Sequence, residues 1–218
     1  MNLIGLKTVC FVVLIIAFVQ TRALMAEVKP AGIFADRMVL QSGLPVAVWG
    51  TAAEGTTVHV DFHDQSHTST ADPEGRWTIT LNPMKPSSTP RMLVVRSGSD
   101  RVVRKDVLVG EVWFAAGQSN MGYAARGMAK HLAEGKMLVD SADFPEIRFC
   151  KISESDSPEP LKDLPELAHW DVCTPQSVIK HSAVAFVFAR RLQKELGVPV
   201  GVIDCSWGGK PIEPFIPI

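Results

Sequence analysis

The stretch Glu111-Val112-Trp113-Phe114-Ala115-Ala116-Gly117-Gln118-Ser119-Asn120-Met121 decides how this 218-residue chain is read. A short, mostly apolar run ended by Gly predicts a buried strand that breaks into a tight turn. A small hydroxyl residue at such a strand end is a candidate nucleophile. A Ser hydroxyl is weak at its free pKa, so it needs a base and backbone N–H groups to hold the developing oxyanion. A strand-to-helix turn offers the hydroxyl and its own N–H together. The block is not the Gly-x-Ser-x-Gly elbow of α/β-hydrolases, because Met121 stands where the second Gly would be. The alternative for Ser119 is a hydroxyl that satisfies backbone groups in a turn.

Towards the carboxyl end, Gly122 to Gly135 carries Gly and Ala and is expected to hold a short helix, and Ile147 to Ile152 a second strand. Ser153 to Pro175 is polar and Pro-bearing and reads as a long surface loop, a place where binding sites are shaped. Trp170 within it is either a sugar-stacking platform or the anchor of its loop. Ser182 to Leu196 is the clearest helix, with Ala185, Phe188, Leu192 and Leu196 on one stripe widened by Val184. Gly197 and Pro199 end it, and Val200 to Ile203 is a buried strand. Strand, crossover, helix and strand form a βαβ pattern, which predicts a parallel sheet with helices on its faces. Ser206-Trp207-Gly208-Gly209 follows that last strand. Paired Gly at a strand end bring an unshielded N–H close to a ligand, so Gly208 and Gly209 are both oxyanion-hole candidates. Ser206 is a weaker nucleophile candidate, and Asp204 is suited either to orient a base or to satisfy backbone donors.

Towards the amino end, residues 27–107 read as a small all-β sandwich domain. Val58, Val60 and Phe62 alternate inward, as do Trp77, Ile79 and Leu81. Val46 to Trp49 and Met92 to Val95 are short apolar strands. Asp72-Pro73-Glu74-Gly75 has the type I turn preference. His59, His63 and His67 are spaced by four, which on a helix would make one face. Along a strand that spacing separates side chains by roughly 13 Å, so no metal site is expected.

Lys7 followed by the apolar run Val9 to Val19 and by Ala23 and Ala26 reads as a secretory signal peptide over residues 1–26. The mature chain is then expected to be exported, to the periplasm or outside the cell, with no membrane segment. Cys10 leaves with the signal, and Cys150, Cys173 and Cys205 remain, an odd number that predicts at least one unpaired thiol or an intermolecular bridge. Net charge is −1, with no long basic run, so a nucleic-acid partner lacks its electrostatic footprint.

Val109 to Met121 resembles the nucleophile block of the sialate O-acetylesterase family, within the SGNH-hydrolase group. Asp36 to Gln41 and Pro45 to Gly50 are similar to the β-domain that precedes the catalytic domain in many members. Ser182 to Phe186 and Gly197 to Val202 are similar to the helix and strand before the second functional block, where the family has an aromatic residue in place of His181. The resemblance implies an exported carbohydrate esterase. Its α/β, SGNH-like catalytic region with a parallel sheet would begin near residue 108. Ser119 would be its nucleophile, Gly208 or Gly209 an oxyanion donor, an acetylated sugar or polysaccharide its substrate, and no cofactor or metal would be needed. In the family the base lies on an Asp-x-x-His pair near the carboxyl end of the domain. No Asp-x-x-His occurs between Ser119 and Ile218, where the histidines are His131, His169 and His181. The expectation is therefore a catalytically incomplete form of the domain. The rival expectation is a non-catalytic, exported carbohydrate-binding or structural remnant of that fold.

Overall fold

A computed structural model describes residues 27–155, 157 and 159–211. The expected signal segment therefore lies outside the described residues. The alternating stretches form strands whose apolar sides meet. β1 (Lys29–Pro30), β3 (Val46–Thr51) and β6 (Arg76–Leu81) make an antiparallel sheet in the order β1-β3-β6. Facing it are β4 (Thr57–Phe62), β5 (Gln65–Thr70) and β7 (Ser87–Ser97). Val58, Val60 and Phe62 from one sheet and Trp77, Ile79 and Leu81 from the other are all buried in a single core. The three histidines do not run along one strand as expected. His63 lies in the two-residue turn between β4 and β5 with φ 57°, a left-handed conformation that His tolerates better than most side chains. His59 and His67 belong to the two strands it joins. The turn at Asp72 closes as expected, with the Gly75 N–H donating to the Asp72 carbonyl at 2.8 Å.

β8 (Asp100–Gly117) organises the rest. Its first half runs antiparallel to β7, and β2 (Val39–Gln41) joins it in parallel at Leu108–Gly110. Its second half, Glu111–Gly117, lies in parallel register with β11 (Val200–Ser206). β11 in turn is parallel to β9 (Phe144–Lys151), and β10 (Trp170–Cys173) adds antiparallel to β9. The large sheet is therefore mixed, in the order β10-β9-β11-β8-β7-β4-β5. Position 107/108, where the sequence changes character, falls inside one continuous strand. Cys150 and Trp170 also belong to the core of the amino-terminal strands.

Between β8 and β9 come α1 (Ser119–Gly122), α2 (Ala125–His131) and α3 (Ala133–Asp140), more helix than the sequence predicts there. α4 (Pro175–Val178) and α5 (Ala183–Leu196) follow β10. Ser182 caps α5 by accepting the Ala185 N–H at 3.1 Å, and Gly197 ends it at φ 64°, where a Cβ would be strained. The buried face of α5 differs from the expected stripe. Ala185, Phe186 and Ala189 are buried, whereas Val184, Phe188 and Leu196 are exposed. Small residues let the helix approach the sheet, and Phe188 instead meets Trp113 edge-on at 5.1 Å. Of the two alternatives for Trp170 the structure supports the anchor, though on a strand and not a loop. It is buried within a strand rather than exposed on a loop, and its indole N–H donates to the Ile33 carbonyl at 3.2 Å. It anchors the chain and offers no face to a sugar.

Candidate active site

Gly117 is the last residue of β8. Its φ is 150°, and a side chain there would come within 3.2 Å of Met121 Cβ, so the turn needs Gly. The chain then folds back at once, the Gly122 N–H donating to the Gln118 carbonyl at 2.7 Å. This short turn presents Ser119 to solvent at the carboxyl end of the parallel strands. Gln118, Ser119, Asn120, Met121 and Val184 line an open cleft of about 430 Å³.

The second block arrives on the neighbouring strand. Ser206 pairs with Gly117, and the Trp207 N–H donates to the Gly117 carbonyl at 3.0 Å. A Cβ on Gly208 would stand 3.3 Å from Ser119 Oγ, whereas one on Gly209 would meet nothing within 4 Å. The structure therefore separates the two glycines that spacing left equivalent. Gly208 lies against the hydroxyl, and Gly209 turns away with φ 75°. Ser206 is buried and its hydroxyl donates to Asp204 Oδ1, which leaves it no route to a substrate. Asp204, fully buried, satisfies that side chain rather than backbone donors, and its Oδ2 has no hydrogen-bond partner among the described residues.

None of the three histidines hydrogen-bonds to Ser119 among the described residues. His131 ends α2 and is exposed. His169 is exposed and lies 3.2 Å from Asp171 Oδ1. His181 is buried, stacked on Phe149 at 4.9 Å, with Nε2 2.9 Å from Asp171 Oδ2. Burial holds its pKa below the ordinary value, against the opposing pull of Asp171. Burial works against ionisation of Asp171 too, but hydrogen bonds and charge from Lys180 and His181 outweigh it and keep the carboxyl below the usual range. The Asp171–His181 contact has no signature in spacing, since it joins a strand to the residue that precedes the Ser182 cap of α5. Cys150, Cys173 and Cys205 are all free thiols. Burial first, then nearby carboxylates, pushes Cys150 and Cys173 up to about 12 and also raises Cys205.

No protein-family model matches the chain. It is 32% identical over 192 residues to mouse sialate O-acetylesterase and 32% identical over 193 residues to the human protein, in each case across 81% of this chain. A solved carbohydrate acetylesterase from Xanthomonas citri superposes with a TM-score of 0.81 at 31% identity, covering 87% of this chain and 42% of that one. Over the residues it shares with them, the chain belongs to the sialate O-acetylesterase family. It spans 35% of the length of the mouse relative. Within this family member, both glycine-bearing blocks lie at the ends of adjacent parallel strands.

Proposed function

We propose that this chain carries the nucleophile and one oxyanion donor of an exported carbohydrate O-acetylesterase of SGNH type, preceded by a small β-sandwich. One observation carries the reading: Ser119 Oγ stands against Gly208, far away in sequence, at the carboxyl ends of β8 and β11. In the proposed reaction Ser119 Oγ attacks the acetyl carbonyl carbon while its proton passes to a base. The N–H groups of Gly208 and of Ser119 itself hold the tetrahedral oxyanion. The intermediate collapses by expelling the sugar oxygen, which takes up the proton, and leaves an acetyl ester on Ser119. Water then adds to that ester, releasing acetate and restoring the hydroxyl.

No base is bonded to Ser119 among the described residues. The three histidines that follow Ser119 are exposed at the end of α2, exposed beside Asp171, or buried on Phe149, and none is bonded to Ser119 among the described residues. We therefore place the base on residues other than those described and read the 218-residue chain as catalytically incomplete. The same observation favours the second reading, a non-catalytic carbohydrate-binding or structural module. Export rests on the run Val9 to Val19 with Ala23 and Ala26. Acetyl-ester hydrolysis by a chain extended through an Asp-x-x-His block separates the readings. Turnover that vanishes on Ser119→Ala supports the esterase, and a folded extended chain without turnover supports the module.

A further inference from the structure

A cleft among the amino-terminal strands carries positive charge that the proposed reaction does not use. It has a volume of about 440 Å³ and opens between the β4–β5 turn, the β6–β7 loop and the start of β7. Arg91 of β7 forms part of its wall. Leu93 and Val95 of the same strand are fully buried in the core, and Arg91 takes the next position in that alternating inward row. A half-buried cation therefore stands where the pattern favours an apolar side chain. Its Nε–H is shut off from solvent and has no acceptor, and no carboxylate pairs with the guanidinium, among the described residues. The Nη groups are not shut off in this way, so they form the open edge of the guanidinium at the cleft. A part-buried arginine without a counter-charge is costly, and an anion entering the cleft supplies the pairing that the fold withholds.

The rim is built around that charge. The β6–β7 loop is fastened at both sides. The Asn82 N–H donates to Gln65 Oε1 at 2.7 Å, Gln65 Nε2 donates to the Asn82 carbonyl at 3.3 Å, and the Gly43 N–H donates to the Met84 carbonyl at 2.8 Å. Pro83 and Pro86 stiffen the same loop by fixing φ. Lys85, carried between them, lines the cleft and has no ion pair among the described residues. Among the described residues the one carboxylate lining the cleft belongs to Asp64, whose Oδ1 lies 3.1 Å from His63 Nδ1. Lys85 and Arg91 against Asp64 leave one net positive charge, which suits a singly charged carboxylate better than a doubly charged phosphate. The bonds that fasten Asn82 use its backbone, so its side-chain amide is left to meet hydroxyl groups.

We propose that this cleft binds a carboxylate-bearing sugar residue, its carboxylate held by the Nη groups of Arg91 and by Lys85, and a hydroxyl by the Asn82 amide. The site is remote from the nucleophile. Val109 lines the cleft and lies eight residues before Gly117 on β8, roughly 26 Å at the rise of a strand. It therefore anchors a sugar other than the one whose ester Ser119 would cut. That the ligand is a sugar rests on the carbohydrate reading proposed above, whereas the affinity for a carboxylate rests on the cleft alone.

The test is a titration of the 218-residue protein with glucuronate and, separately, with N-acetylneuraminate, followed by nuclear magnetic resonance at the amides of Lys85, Ser87 and Arg91. The expected result is saturable shifts at these amides with at least one of the two acids, weakened by added salt and absent with the methyl ester of the same acid. Arg91→Gln removes an unpaired charge, so it should weaken binding at least about 10-fold without lowering the melting temperature. If that variant does not fold, Lys85→Ala on the exposed loop should weaken binding about 3-fold. Shifts centred on the Ser119 turn, an equal response to the methyl ester, acetate or inorganic phosphate binding as tightly as both acids, or binding that ignores both substitutions overturns the proposal. So does the absence of any saturable shift. Ser119→Ala should leave the binding unchanged, so the outcome here is separate from that of the esterase test.

Discussion

Asp106→Ala should destabilise the whole chain. Asp106 sits mid-way along β8 at φ 56° and binds Arg148 of β9 through two hydrogen bonds, at 2.9 and 3.2 Å. The Arg148 side chain is 5% exposed, and among the described residues its only other partner is the Pro145 carbonyl. Removing one member of a buried pair costs about 3–5 kcal/mol, because it leaves a charge without its counterion. Asp106 is 36% exposed, so solvent already screens the pair and the loss is nearer about 2–3 kcal/mol. Ala at a left-handed φ adds about 1 kcal/mol. For a chain of this size the sum lowers the melting temperature by on the order of 10 °C. Asp106→Asn keeps both an acceptor oxygen and a tolerated backbone, and should lose only about 2 kcal/mol. Thermal unfolding followed by circular dichroism measures both. A loss under about 1 kcal/mol for Asp106→Ala would refute the argument that this pair ties β8 to β9. So would a second transition, left unshifted, for the amino-terminal strands.

Three further outcomes follow from the geometry. Gly208→Ala places a Cβ 3.3 Å from Ser119 Oγ, so in a chain extended through an Asp-x-x-His block it should cut acetyl-ester turnover on the order of 10²-fold while leaving the melting temperature unchanged. His181 has a folded pKa below its unfolded value, so the unfolded state binds more protons and stability should fall as pH drops from about 6.5 towards the folded pKa. Denaturant titrations of His181→Phe should be flat across that window. At pH 8 iodoacetamide should leave Cys150 and Cys173 unmodified in the native protein, since both thiols sit at about 12, and should reach the half-buried Cys205 first. Mass mapping with and without denaturant reads this directly.

What was legible in the chain had local causes. The apolar run into Gly117 and the glycines after β11 are short-range signals, and both produced the predicted strand ends, although Trp113 and Phe114 of that run are exposed and not buried as expected. The alternation of Val58, Val60 and Phe62 did so as well. β5 escaped because Gln65–Thr70 has no apolar residue to alternate. The length of β8 escaped because it changes partner near Gly110, pairing first with β7 and then with β11, so its pattern changes part-way. The strand at Trp170 and the face of α5 were misread because burial there is decided by neighbours distant in sequence. Ile33 captures the indole, and Trp113 takes up Phe188. The choice between Gly208 and Gly209 needed coordinates, since only the approach of Ser119 distinguishes them. The Asp171–His181 contact was invisible for the same reason: its members meet in the fold but share no spacing.

The central claim is that Ser119 is a carboxyl-ester nucleophile whose base is not among the described residues. Ser119-dependent hydrolysis of an acetyl ester tests it most directly, measured side by side on the 218-residue chain and on one extended through an Asp-x-x-His block. The account predicts turnover in the extended chain that falls by roughly 10⁴-fold in Ser119→Ala, and no Ser119-dependent turnover in the 218-residue chain. Turnover in the extended chain that survives Ser119→Ala would contradict the assignment of the nucleophile. Efficient Ser119-dependent turnover in the 218-residue chain would contradict the assignment of the base.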